Sequence, residues 1–404
     1  MLLYRFLMTL LAARELALRV WARDMCGIKA RLGRLTPDAE DERVWLHAAS
    51  NGELASARQL IDRMIAQERH LLITVNTDSA LALGQGWALS NSTVMLAPID
   101  LCGPTRRVMR RWGVRAHITL ESDLWPCRIL QTQGPVIVLG GRLTARSAKG
   151  WQRFPELAQK VLEKVTYLSA QDATSADRFS GLGLPAAARG PVLDLKAFYT
   201  PPRDRPGAAL QGAFKRPETW LAASTHEGED ETVLTAHRSA LQSRADLKLI
   251  LAPRHPRRAD DIETLIHSLG LTCARRSKAT DPAGAQVYLA DTLGEMHLWY
   301  ALAGVTFIAG SLTDRGGHTP YEPAAFGSAI VHGPDTANFR AAYSRLTEAR
   351  AAIRVTNADE LARAVTDLDS AGKQDALATR ARSALQQQTD LDSLMRDITG
   401  HLDA

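Results

Sequence analysis

The sequence predicts two doubly wound α/β domains, each built on a parallel sheet, and three observations lead there. Short apolar runs rich in Val, Ile and Leu alternate with segments whose apolar residues recur at three- and four-residue steps. The runs are continuously apolar instead of alternating, and they fall into two series separated by a stretch rich in Pro, Gly and charge. Continuous apolar strands separated by helices mean sheets covered on both faces. A chain of 404 residues with 45% hydrophobic side chains buries a large core and is too long for one typical domain.

The first element, "MLLYRFLMTLLAARELALRVWARD", is apolar but interrupted by Arg5 and Arg14, so it falls short of the ~20 uninterrupted apolar residues of a membrane span. Residues 1–34 hold seven basic and two acidic side chains, an excess equal to the formal net charge of +5 for the whole chain. The segment reads as a basic amphipathic helix on an anionic membrane surface. Two other readings stand beside it: a packed first helix with solvated arginines, and a signal peptide, against which the short apolar core and missing cleavage site count. A second basic cluster, Arg106, Arg107, Arg110 and Arg111, sits at helical spacing and is either a solvated face or a further contact with acidic lipid.

The strands of the first series are expected at 44–49, 70–77, 93–98, 116–121, 135–141 and 165–170. Those of the second are expected at 220–224, 247–254, 287–291, 305–310 and 329–333. The domains then run 1–200 and 218–375, with a linker at 201–217 and a closing helix at 376–404. The four cysteines, Cys26, Cys102, Cys127 and Cys273, form no C-x-x-C pair, which argues against a disulfide framework or a structural zinc site and for a reducing compartment. The basic clusters lack interleaved aromatics, so nucleic-acid binding has little support.

In open parallel sheets, ligands bind beyond the carboxyl ends of the strands. Those junctions read "SNGE" (50–53), "STHEGE" (224–229), "ADTLGE" (290–295) and "GSLTDRGGHTPYEPAAFG" (310–327). Each contains the S/T-x-x-E spacing of a capping box: Ser50 with Glu53, Ser224 with Glu227, Thr292 with Glu295, and Thr319 with Glu322, the last with Pro320 at the first helical position. Capping leaves the extra glycines unexplained, and it leaves His226, Arg254, His255 and His318 gathered at the same strand ends. Bare backbone N–H groups at helix starts beside Arg and His suit an anion.

"HAASNGE", "LAPIDLCGPTRRVMRRW", "LESDLWP", "RLTARS", "AASTHEGEDE", "LAPRHPRR", "LADTLGE", "GGHTPYEPAAFG" and "GPDTANF" occur in the order that resembles the bacterial Kdo transferases. Those enzymes move 3-deoxy-D-manno-octulosonic acid (Kdo) from CMP-Kdo to the lipid A precursor. The resemblance implies a GT-B glycosyltransferase: two Rossmann-like domains facing across a cleft, the last helix crossing back to the first domain, and the enzyme at the cytoplasmic face of the inner membrane. On the donor side it implies Ser224, His226, Arg254, His255, Gly294, Glu295, Ser311, Gly316, Gly317, His318, Glu322 and Asn338. Arg254 and His255 would stand near the CMP phosphate and base, and Glu322 at the ribose hydroxyls. On the acceptor and Kdo side it implies Ser50, Asn51, Gly52, Glu121, Asp123 and Arg142. Glu53 matches the family's base, which deprotonates the acceptor hydroxyl in an inverting transfer.

No metal and no further cofactor is expected, because the leaving group carries a single phosphate that helix N-termini, Arg and His can stabilise. Helix-start position predicts a lowered pKa for Glu53, which runs against a base poised near neutrality. The sequence departs from the family pattern at Asn51, Asp123, Thr319 and the segment "GPVLDLKAF". Those departures leave open a diverged paralogue that uses another CMP-activated acidic sugar or another acceptor, or one that binds lipid or nucleotide without turnover.

Overall fold

The computed structural model describes residues 2–39, 41–386 and 390–404. The chain divides into two compact units, Met1–Tyr199 with Gln387–Ala404, and Thr200–Gln386. The first holds β1 (Arg43–Ala48), β2 (His70–Val75), β3 (Ser92–Leu96), β4 (Val114–Leu120), β5 (Val136–Gly141) and β6 (Tyr167–Ala170) in the order β3-β2-β1-β4-β5-β6. Every pairing is parallel, and Leu46 of β1 pairs with Ile73 of β2 and Ile118 of β4. Every residue of β1 is buried. Helices cover both faces, as continuous apolarity demands.

The second unit holds β7 (Thr219–Thr225), β8 (Lys248–Pro253), β9 (Cys273–Arg275), β10 (Val287–Leu289), β11 (Val305–Ile308), β12 (Ala329–His332) and β13 (Ala352–Arg354). Their order is β13-β12-β11-β7-β8-β10-β9, again all parallel. Trp220 and Trp299 pack fully buried in this unit and Trp45 in the first; truncating any of them to Ala would cost about 3–5 kcal/mol. The predicted strands all form. Two that were not predicted, β9 and β13, are three-residue strands at the sheet edges, and β13 (Ala352–Arg354) has no fully buried residue, so neither carries an apolar run to read.

Two boundaries differ from the sequence reading. Residues 201–217 include the helix Ala208–Ala213, and Leu210 and Phe214 enter the second unit's core. Arg216 donates to the carbonyls of Tyr300, Ala301, Phe326 and Gly327 at 2.8–3.0 Å, so the end of the stretch expected to be linker is the folded entry to that unit. The expected closing helix at 376–404 is two helices. Ala371–Leu385 buries Leu377, Ala378 and Ala381 in the second unit, whereas Leu391–Leu402 buries Leu394 and Ile398 in the first. Tyr167 donates to Asp397 of that last helix at 3.0 Å, and Arg63 and Arg69 pair with Asp392 and Asp403.

Helix α1 (Leu2–Trp21) is held by polar anchors. Tyr4 Oη donates to Asp100 at 2.6 Å, and Arg19 reaches Glu15 at 2.8 Å and Asp78 at 3.1 Å. Phe6, Leu7, Leu10, Leu11, Leu18, Val20 and Trp21 stay exposed, Trp21 by 87%. A contiguous apolar face of this kind marks an interaction surface. Among the described residues, no helix is long and apolar enough to cross a membrane.

Candidate functional site

Each sheet reverses its strand order beside its first strand, at β1/β4 and at β7/β11, and the crevice at such a switch point is where open α/β sheets bind ligands. The residues singled out in the sequence cluster there. In the first unit, Ser50 and Glu53 follow β1 while Glu121 and Asp123 follow β4. In the second, Ser224 and His226 end or follow β7, and Gly310, Ser311 and His318 follow β11. The backbone is strained at both points: Glu121 and Ser224 have φ of 50° and 62°, a left-handed conformation that costs a non-glycine residue about 1–3 kcal/mol.

Glu53 lies in the first turn of the helix Asn51–Ser56, half-buried. Its Oε2 accepts from the backbone N–H of Ala49 at 2.7 Å, and Ser50 Oγ accepts from the Glu53 N–H at a long 3.4 Å. The box therefore forms, but with the carboxylate reaching one residue further back than the standard arrangement. Burial, then the neighbouring Glu121 charge, push the Glu53 carboxyl up to about 8, against the pull of the Ala49 N–H and Lys196. The lowered value expected from helix-start position is thus overturned, because one N–H does not offset desolvation plus two further carboxylates, Glu121 and Asp123.

The two companion acids have their own partners. Glu121 pairs with Lys196. Asp123 Oδ2 accepts from His47 Nε2 at 2.9 Å and from Asn76 Nδ2 at 3.3 Å. Burial holds the His47 imidazole down to about 4, so it is neutral at pH 7, with Nε2 on Asp123 and Nδ1 between Thr74 Oγ1 at 2.9 Å and the Thr74 carbonyl at 3.0 Å. Burial would raise Asp123, but the His47 hydrogen bond keeps it below the usual carboxylate range. Of three carboxyls at one crevice, Asp123 is therefore pushed down and Glu53 pushed up, so their environments separate them.

In the second unit, His226 and His318 meet Nε2 to Nε2 at 2.9 Å with rings stacked at 5.1 Å, and His255 stands edge-on to His226 at 6.1 Å. A Cβ on Gly310 would lie 3.2 Å from His318 and 3.3 Å from His226, and φ there is +68°, so glycine is what lets both rings close over the turn. Burial, then the His226 and Arg254 charges, hold His318 down to about 4. Burial lowers His226 as well, with Arg315, His255 and Arg254 adding to it. Slight desolvation and the charges of Arg254, Arg257, Arg258 and Arg315 lower His255. Neutral imidazoles amid arginine charges are chemically suited to an anion.

Several predicted donor-side residues have a different place. Ser224 and Glu227 do not make a capping box: the helix begins at Asp230, and Glu229 is the acid that turns back. The buried Glu229 carboxylate accepts from the N–H groups of His226, Gly310, Ser311 and Leu312 at 2.7–3.0 Å, so the backbone nest expected to cradle phosphate is already occupied by a side chain. Ser311 is fully buried, its hydroxyl bridging Ile308 and Gly333. Gly316 and Gly317 donate to Asp335 and Gly310, and Asn338 donates to the carbonyl of Arg315; these four residues shape the loop.

Glu295 is clamped by Arg276 at 2.6 and 3.0 Å and by Thr292, in place of a Thr292 cap, with Gly294 exposed beside it. Pro320 is the N-cap of Tyr321–Ala325 and not its first residue; Glu322 lies half-buried in that first turn, and Arg142 follows β5 with its N–H on Glu121. Asn51 and Gly52 are exposed at the Glu53 turn. Sequence reasoning missed Glu229, Lys196, His47 and Asn76 as members of these clusters. Only the acid-rich "EGEDE" and the lysine of "DLKAF" carried any signal of them. Among the described residues, no group of three His, Cys, Asp or Glu could hold a metal ion.

With the geometry in place, similarity to known proteins is informative. Residues 27–198 match the family described as 3-deoxy-D-manno-octulosonic-acid transferase (kdotransferase). The chain is 32% identical over 335 residues to the 3-deoxy-D-manno-octulosonic acid transferase of Haemophilus influenzae, covering 80% of this chain and 78% of that one. It is 32% identical over 346 residues to the protein of the same description from Bordetella pertussis, covering 81% and 79%. Among solved structures, a UDP-N-acetylglucosamine 2-epimerase aligns with a TM-score of 0.57 at 13% identity, over 87% of this chain and 99% of that one. The Anabaena protein HepE, in complex with UDP and glucose, aligns at 0.56 and 12%, over 90% and 100%. At such identities the likeness is one of fold, and the fold is GT-B.

Proposed function

The chain belongs to the 3-deoxy-D-manno-octulosonic acid transferase family, and from that premise we propose that it moves Kdo from CMP-Kdo to the lipid A precursor at the cytoplasmic membrane surface, with inversion and without a metal. Glu53 is the general base: it takes the proton of the acceptor hydroxyl as that oxygen attacks the anomeric carbon. The observation that carries this reading is a half-buried carboxyl raised to about 8 at the β1/β4 crevice, since a base is most effective when its pKa lies near the working pH. Asp123, held ionised by His47, and Glu121, paired with Lys196, orient acceptor hydroxyls and favour positive charge developing on the sugar.

On the donor side, charge builds on the departing phosphate of CMP. Arg254, Arg315 and the His226, His255 and His318 cluster meet it, and the imidazoles gain protons as the anion forms. A leaving group with a single phosphate calls for no metal in this reading. The exposed apolar face of α1 and the basic residues around it support peripheral attachment to an anionic membrane.

The test is an incubation of the protein with CMP-Kdo and tetra-acylated lipid A precursor, followed by mass spectrometry. A product heavier by Kdo is expected. Release of CMP and free Kdo with the lipid unchanged would overturn the acceptor assignment, and a donor left intact would overturn the transfer itself.

A further inference from the structure

A groove of about 260 Å³ lies between α1 and the segments that follow β2 and β3. Met8, Leu11 and Leu18 of α1 form one wall, Ile99 and Trp125 form part of the other, and Arg14, Arg31 and Arg128 are also in its lining. The acids among them are already committed: Glu15 accepts from Arg19 and Arg31, and Asp100 from Tyr4 and the N–H groups of Cys127 and Arg128. Arg31 is spent on Glu15 and on the carbonyls of Ala97 and Asn76.

Arg128 is different. It is 2% exposed, its side chain hydrogen-bonds only through Nη2, to the carbonyl of Pro98 at 2.9 Å, and Nε and Nη1 have no hydrogen-bond partner among the described residues; its counter-charge is Asp100, 3.8 Å from Nε and already taken up by Tyr4 and two N–H groups. Its guanidinium is fixed between the rings of Trp45 and Trp125, at 5.6 and 5.3 Å. Arg14 is exposed on the same groove. A buried cation short of hydrogen bonds, beside a second cation and an apolar wall, matches a molecule that is both anionic and aliphatic.

The groove also shares one residue with the carboxylate cluster. Asn76 lines it and donates through Nδ2 to Asp123. A cavity of about 150 Å³ holds benzene, so this one takes a single acyl chain segment. We propose that it binds one fatty-acyl chain of the lipid acceptor along α1, with Arg14 and Arg128 meeting a phosphate of the same lipid. This rests on the acceptor reading above and adds to it that α1 is part of the acceptor site as well as a surface for membrane.

The experiment uses the full chain, CMP-Kdo and excess detergent micelles, with phosphorylated acceptors whose acyl chains are shortened stepwise. For the unaltered protein, kcat/KM is expected to fall two- to fourfold for each methylene removed, the upper figure corresponding to about full burial. In the double variant Leu11→Gln, Leu18→Gln, both exposed positions, the dependence is expected to flatten to below about 1.5-fold per methylene. No dependence in the unaltered protein, or one the variant leaves intact, overturns the groove. Loss of binding to phosphatidylglycerol vesicles with intact chain dependence assigns the face to bulk lipid and also overturns it.

Calorimetric titration with decyl phosphate separates this from the transferase reading. The unaltered protein is expected to bind it at least fivefold more tightly than the double variant, and to favour it over decyl glucoside by a margin that Arg14→Gln reduces. Equal affinities overturn the groove whether or not transfer occurs, while binding as expected without any Kdo product would sink the transferase reading alone.

Discussion

Glu53 and Glu229 occupy equivalent places in the two units, each in the turn after the first strand of its sheet, and each turns its carboxylate back onto backbone. Their surroundings set them apart. Glu229 is fully buried and accepts four N–H groups. Glu53 accepts one backbone N–H and faces two further carboxyls. A carboxylate whose lone pairs are filled by fixed donors is a structural anion, whereas one that is desolvated and under-supplied is held ready to exchange a proton. The difference teaches that the same local signal, an acid at a strand-to-helix turn, acquires different surroundings from the number of N–H groups the fold supplies.

The sharpest way to break that contrast is Glu53→Gln. Gln still accepts from the Ala49 N–H but takes no proton, so turnover should fall about 10²–10⁴-fold with an unchanged circular dichroism spectrum. A Glu53 carboxyl raised in the folded state contributes stability that is fully present below its unfolded value and is lost as pH rises through about 8. Thermal scans should therefore show the Gln variant gaining on the parent as pH rises from about 4.5 to about 8, with no further gain above that. Near-normal turnover would make Glu53 a second Glu229.

Glu229→Gln comes next. An amide cannot accept four N–H groups, and the expected loss is about 3 kcal/mol in urea unfolding of the full chain, with weaker CMP binding. A change below about 0.5 kcal/mol would mean that the nest does not need its anion. Lys196→Met removes the partner of Glu121 and a charge that lowers Glu53. The ionisation in the rate profile should move upward, and kcat/KM near pH 7 should drop about tenfold per unit moved; a downward or absent shift would contradict the coupling. The smallest effect is expected from Ser50→Ala. With a 3.4 Å cap it should cost at most about 1 kcal/mol and leave turnover within about twofold. A larger loss of rate would give Ser50 a part in acceptor binding.

Much of this was legible in the sequence. Continuous apolar runs identified both sheets, because a strand buried on two faces is apolar at most positions. The edge strands β9 and β13 are too short and too exposed to show one. The junctions "SNGE" and "STHEGE" pointed to the right strand ends, yet the second pairing, Ser224 with Glu227, named an acid two residues before the one that turns inward. Ser311, Gly316 and Gly317 are implied on the donor side by the family resemblance, in a turn whose glycines offer bare N–H groups. That Glu229 and Asp335 already accept several of them depends on contacts 19 or more residues apart. The direction of the Glu53 shift was missed for the same reason: the helix start is local, whereas Glu121, Asp123 and the burial that outweigh it come from elsewhere in the unit.

The most direct test of the central claim is the pH dependence of kcat/KM for Kdo transfer, measured on the unaltered protein and on Glu53→Gln. Because the base acts ionised, log kcat/KM should climb with unit slope and level off at a single ionisation near 8, and that ionisation should vanish from the residual rate of the variant. A profile already level from pH 5 upward, or an ionisation near 8 that survives in the variant, would contradict the assignment of Glu53 as the base.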